Sequence, residues 1–126
     1  MSWSVAHLES HGIVEMKLVG VVSGDDLREA TKEGIARAKD NGLRRGLVDC
    51  TDQEKTGSMV DLIELPRQYS DQGLSRETCI ALVIPARKEL HGIAEFYETV
   101  CVNRGWQVRT FETRKQAIAW LTEQPE

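Results

Sequence analysis

The sequence predicts an α/β fold: a mixed, mostly parallel five-stranded sheet in the order β-β-α-β-α-β-α-β-α, with an antiparallel first strand. Three observations predict it. Short apolar runs alternate with longer stretches of helical period, which implies parallel strands joined by right-handed crossovers. The run Arg45–Cys50 holds an apolar centre, Leu47-Val48, and leaves through Asp49, as a central strand does when its end opens into a working loop. Thr78–Ile84 is almost wholly apolar, the mark of a strand covered on both faces, and Pro85 ends it.

At 126 residues the chain is read as one domain, 1–126, large enough for its own core, with no internal repeat or linker. Sixteen Lys and Arg against 20 Asp and Glu leave a net charge of −4. Without a basic cluster, this balance excludes nucleic acid as a partner. Three cysteines, Cys50, Cys79 and Cys101, lack CxxC spacing, which points away from a disulfide framework or a zinc site. A reduced, cytoplasmic compartment follows, with no metal or cofactor expected. The opening MSWSVAHLESHG lacks the charged and apolar regions of a secretory leader. No apolar run approaches the roughly 18–20 residues of a membrane span.

Taken in order, Val5–Glu9 reads as the first strand and Ser10-His11-Gly12 as its turn. Ile13–Val22 reads as the second strand, with Val14, Met16 and Leu18 on one face and Glu15 and Lys17 on a wetter one. Ser23 caps a helix whose inner face carries Leu27, Thr31, Gly34, Ile35 and Ala38, and Asn41-Gly42 stops it. A glycine inside a helix costs about 1 kcal/mol relative to alanine, so Gly34 suggests close packing on the sheet. After the central strand, Thr51–Gly57 reads as a loop and Ser58 as a second cap. The helix from Met59 to about Tyr69 contains Pro66, which predicts a kink or an early end. Ser70–Glu77 is a loop. Beyond Pro85, a helix follows Ala86–Glu89 and runs to Arg104 with Ile93, Tyr97, Val100 and Cys101 inward. Gln107–Phe111 is the last strand, and Thr113 with Gln116 forms a capping box for a helix burying Ala117, Leu121 and either Ile118 or Trp120.

Three landmarks carry a resemblance. They are the strand-Gly-x-x-Ser-x-x-Asp-Leu pattern at Val19–Leu27, the aspartate-ended Gly46-Leu47-Val48-Asp49, and the tail, with Phe96-Tyr97, Arg104–Phe111 and Ala117–Leu121. Together they resemble the SpoIIAA-like family, relatives of the STAS domains of anti-sigma factor antagonists. The resemblance implies a superhelix of β-α units with strands in near-sequential order, and a remote similarity to Sec14-like lipid-binding domains. In the phosphoregulated antagonists a serine opens the helix after the central strand, within an Asp-Ser-Ser-Gly-type motif. Ser58 holds about that place here, within Lys55-Thr56-Gly57-Ser58-Met59, but the flanking pattern differs.

If the later strands are parallel, their carboxyl ends share one edge, where ligands of open α/β sheets bind. Val22–Asp26, Asp49–Ser58, Pro85–His91 and Glu112–Thr113 would meet there. Asp25, Asp26, Asp49 and Asp52 would already satisfy the helix starts, which disfavours an anionic ligand. Asp49 is either a functional carboxylate or an acceptor for amides of its own loop. His91 is the one histidine placed for acid-base work; Cys50 is the nearest nucleophile, but strand cysteines are commonly inert. The apolar stripe Met59, Leu62, Ile63 and Pro66, widened by Val60 and Leu65, is either a plain core face or a mobile lid over an apolar ligand.

The preferred reading is therefore non-enzymatic. It binds a small apolar or amphiphilic, lipid-like ligand, a membrane surface or a partner protein through Met59, Leu62, Ile63, Pro66, Asp49 and His91. A STAS-type regulator switched by phosphorylation near Ser58 is the alternative, and a small hydrolase the third. A homodimer is compatible with each.

Overall fold

The computed structural model describes residues 2–124. The chain opens with β1 (Trp3–Leu8), β2 (Ile13–Leu18), β3 (Gly20–Val21), α1 (Gly24–Asp40), β4 (Arg45–Asp49) and β5 (Gln53–Lys55). It continues through α2 (Met59–Asp71), β6 (Cys79–Val83), α3 (His91–Asn103), β7 (Gln107–Phe111) and α4 (Arg114–Glu123). The main sheet has the order β1-β2-β4-β6-β7, antiparallel between β1 and β2 and parallel beyond. This is the predicted five-stranded architecture.

The first differences lie in the hairpin. β1 starts at Trp3 rather than Val5, because Trp3 still finds a partner in Leu18. The second strand does not run to Val22. It stops at Leu18, and Gly20 takes φ +68°, a conformation that favours glycine. The chain then leaves the main sheet, and β3 pairs in parallel with β5, inside the segment expected to be a plain loop. Gly20 N donates to Asp52 O (2.9 Å) and Val22 N to Lys55 O (3.0 Å).

α1, α2 and α3 cover one face of the sheet and α4 the other. Strand alternation divides the side chains between them. On the α4 face, Ile13, Leu47, Ala81, Ala117 and Leu121 are fully buried. Arg45 crosses to the same face, donating from Nη1 to His11 O (2.8 Å) and from Nη2 to Gln124 O (2.6 Å). The face expected to be wet is thus half covered, and Glu15 is held there by Arg114 of α4 (2.8 Å). Both Ile118 and Trp120 pack partly buried against this cluster.

α2 does not end at Pro66; it continues to Asp71. A proline inside a helix costs about 3 kcal/mol. Leu62, Leu65, Pro66 and Tyr69 are all buried on the core side, and full burial of one such side chain gives about 1.5–3 kcal/mol. Packing therefore outweighs the missing backbone donor. The backbone of α2 rests on α1 and α3, and its buried side chains join the core cluster on the sheet.

Leu47 is 0% exposed at the centre of the sheet. Leu47→Ala should lower unfolding free energy by about 2–5 kcal/mol, read from the midpoint of urea denaturation at unchanged slope.

Candidate functional site

The parallel strands bring their carboxyl ends to one rim, and the segments that follow them are tied together there. Cys50 N donates to Val83 O (3.0 Å), Ala86 N to Thr51 O (3.0 Å) and Ile84 N to Phe111 O (2.9 Å). Arg87 spans the rim to Glu54 (3.1 Å).

Three of the helix starts at this rim are closed by side chains. Ser23 Oγ accepts from Asp26 N (3.1 Å), and Asp26 accepts in return from Ser23 N (3.0 Å). Ser58 and Asp61 repeat the arrangement on α2, at 3.3 and 2.9 Å. On α4, Thr113 Oγ1 accepts from Gln116 N (3.2 Å). α3 instead follows a short 3-10 turn, Lys88–Leu90, without a side-chain cap. The expectation that carboxylates satisfy these ends holds for Asp26. For α2 the carboxylate is Asp61, which the sequence reading passed over.

Asp61 also joins the two helices. Its Oδ1 accepts from Arg28 (3.1 Å), which bonds Asp25 as well. Its carboxyl group lies between Gly24 and Gly57: a Cβ at Gly24 would come within 2.5 Å of it, and one at Gly57 within 2.7 Å. Side chains at either position would expel it. Amide bonds from Ser23 and Ser58 hold Asp26 and Asp61 below the usual carboxylate range, and Arg28 adds to this at Asp61.

The residues proposed for ligand contact divide. Asp49 is buried, and its Oδ1 accepts from Thr51 N (3.0 Å) and Thr51 Oγ1 (2.6 Å), so it closes its own loop. His91 Nε2 donates to Pro85 O (2.7 Å), which pins the start of α3 to the end of β6. Cys50 is buried, and its thiol is pushed up to about 12 by that burial, with the Asp49 charge adding to it. A thiol so poised is no nucleophile at neutral pH. Cys79 and Cys101 are buried as expected.

The predicted α2 stripe is rotated. Met59 and Val60 face solvent, Ile63 is half-buried, and Pro66 is buried in packed surroundings. Leu62 alone of the proposed set borders a half-open hollow of about 120 Å³ that lies between the sheet and α1, α2 and α3. Tyr69, absent from the predicted stripe, borders it too, and its hydroxyl is hydrogen-bonded to that of Tyr97.

Among the described residues, no helix is long and apolar enough to cross a membrane. Nor is there a group of three His, Cys, Asp or Glu side chains arranged to hold a metal.

No family model and no curated protein matches the chain. Solved structures do. One is an uncharacterised DUF3478-family protein with a SpoIIAA-like fold from Shewanella loihica PV-4. It is 15% identical, with a TM-score of 0.59, over 94% of this chain and 91% of that one. Another is the anti-sigma factor antagonist SpoIIAA in its unphosphorylated form, 13% identical, with a TM-score of 0.59, over 94% of this chain and 96% of that one. The chain has a SpoIIAA-like fold.

Within this SpoIIAA-like fold Ser58 is exposed at the first turn after the central β-strand and its short loop strand. The pair Ser58 and Asp61 could have been found from sequence. Ser-x-x-Asp before an apolar run is a capping signature, and Ser23-x-x-Asp26 repeats it. The slot between Gly24 and Gly57 carries no such signal, because it joins residues from two loops.

Ser58→Ala should cost about 1 kcal/mol of stability. Carboxylates with depressed folded values stabilise the fold fully above the unfolded value of about 4. That contribution is lost as pH falls through the folded values. Paired Asp26→Asn and Asp61→Asn substitutions should therefore flatten the acid limb of a melting-temperature profile below about pH 4, measured by circular dichroism.

Proposed function

We propose that the chain is a non-enzymatic regulatory domain acting by protein contact through the rim around Ser58. The observation that carries this reading is an exposed apolar patch beside an exposed capping serine. Val21, Met59 and Val60 are 63%, 52% and 66% exposed. They belong to two segments joined at the rim by the bond from Val22 N to Lys55 O and by the approach of Gly24 to Gly57. Asp25 and Glu54 flank these segments on the surface. Each is paired with an arginine, Glu54 with Arg87 and Asp25 with Arg28, so both signs of charge surround the apolar patch, a surface suited to a partner protein.

The solved SpoIIAA is an anti-sigma factor antagonist in its unphosphorylated form. By analogy of fold, Ser58 is the phosphate acceptor here. Its hydroxyl lies 3.1 Å from the Asp61 carboxylate. A phosphate there brings about −1.5 to −2 of charge against Asp61. Repulsion would drive Asp61 from its slot between Gly24 and Gly57, while Arg28 turns from Asp61 to the phosphate. The start of α2, with Met59 and Val60, then moves relative to α1, and the docking patch changes shape.

A second reading, carriage of a small molecule beneath α2, is favoured by the hollow that Leu62 borders. The likeness of fold alone gives no support to the lipid-like occupant of the sequence reading.

Protein isolated from its own cells should carry one phosphate on Ser58 by peptide mass spectrometry, absent from Ser58→Ala. A partner co-isolated with the unmodified chain should be lost from a Met59→Glu, Val60→Glu variant. That variant should keep its stability within about 0.5 kcal/mol, as for other surface changes. An unmodified Ser58, together with a partner that the double variant retains, would overturn the reading.

A further inference from the structure

The main sheet has two edges, β1 and β7, and they are finished differently. At β7 the amide of Thr110 points away from β6, and Glu98 of α3 covers it by accepting at 2.8 Å. Arg109 stands exposed beside it. A capped donor and a charge guard an edge against further strands. β1 has neither. Its residues, Trp3–Leu8, include no Asp, Glu, Lys, Arg or Pro.

The register shows which groups of β1 are free. Val19 N donates to Ser2 O (2.8 Å), so the pairs Ser4–Lys17, Ala6–Glu15 and Leu8–Ile13 are the hydrogen-bonded ones. The N–H and C=O groups of Trp3, Val5 and His7 therefore point outward. Among the described residues, no loop or neighbouring element bonds to them.

We propose that the chain forms a two-fold homodimer by pairing β1 antiparallel with β1 of a second copy, which makes one continuous sheet. The proposal does not depend on the reading given for the rim around Ser58. The edge is self-complementary. With the axis at Val5, that residue exchanges both bonds with its own counterpart, and Trp3 does so with His7, so every outward group is used.

The helical layer above the edge matches as well. α1 lies across β1 and β2. The same axis sets the α1 helices of the two copies antiparallel, two strand spacings or about 9–10 Å apart. Packed helices stand roughly 8–10 Å apart. Gly34 is beside the axis: a Cβ there would meet Met16 Cε at 3.5 Å, and Met16 is the β2 partner of Val5. That contact is an ordinary one, so nothing within the chain requires a glycine whose place in a helix costs about 1 kcal/mol. A second α1 at close approach supplies the reason. Arg28 and Lys39 turn toward α2. Helical period puts Glu33 and Arg37, paired at 3.1 Å, on the opposite flank. Across the axis, Glu33 of one copy then faces Arg37 of the other.

The test is sedimentation velocity of the intact chain from micromolar to millimolar concentration. The mass should rise from 14.2 kDa toward twice that value. Ser4 and Ala6 are exposed, and in the dimer each lies directly opposite the other. Ser4→Lys combined with Ala6→Lys should abolish the dimer, and so should Ser4→Glu combined with Ala6→Glu. An equimolar mixture of the two variants should restore it, because opposite charges then face each other across the join. That recovery also shows that both variants fold. Amide exchange at Trp3, Val5 and His7 should slow as concentration rises, while Ser4 and Ala6 stay as they are. The Met59→Glu, Val60→Glu variant should associate as the wild type does. A monomer at every concentration, a dimer that survives the lysine pair, a mixture that stays monomeric, unchanged exchange at the three outward amides, or loss of the dimer in the Met59→Glu, Val60→Glu variant would each overturn the proposal.

Discussion

The structure depends on the central strand β4 being hydrogen-bonded on both sides while its side chains alternate between two unlike faces. Arg45, Leu47 and Asp49 point one way and Gly46, Val48 and Cys50 the other. The first set meets α4 and closes a dry layer around Leu47 and Leu121. The second set meets α1, α2 and α3, where Gly46 contributes no side chain. Parallel pairing with β2 and β6 then fixes where the chain emerges. Every helix of the crossovers starts at the same rim, so capping groups and exposed loops are concentrated there.

That concentration decides the chemistry of the rim. Helix starts attract anions, but the chain supplies its own through Asp26 and Asp61. At α1 and α2 a free anion therefore gains little. What the rim offers instead is a serine whose modification would compete with a carboxylate already in place, and apolar side chains that the core does not use. The same competition explains why Asp61 is more than a cap. It is seated between two glycines, and its position registers α1 against α2.

The fold was legible because it rests on local patterns. The buried run at Cys79–Val83, the alternation in β2, and the caps at Ser23, Ser58 and Thr113 all stand where sequence reasoning put them. The parts that were not legible depend on long-range geometry. β5 is too short and polar to read as a strand, and it forms because β3 is turned toward it at Gly20. The rotation of α2 was misread because Met59 and Val60 are apolar yet stand where the helix start meets solvent. Tyr69, one turn past Leu65, was left out of a stripe that it completes. Pro66 suggested a break, which burial overrides. Of the site, Ser58 and Leu62 were placed usefully. Asp49 and His91 turned out to bond their own neighbourhoods, which spacing alone does not reveal.

The two faces of the sheet also differ in how they answer compression. Volume lost on unfolding scales with the voids a fold encloses, and here the hollow of about 120 Å³ lies wholly on the side of α1, α2 and α3. Hydrostatic pressure therefore acts on an asymmetric body. On the side of α1, α2 and α3, pressure favours water entering the hollow, because filling it lowers the volume of protein and solvent together.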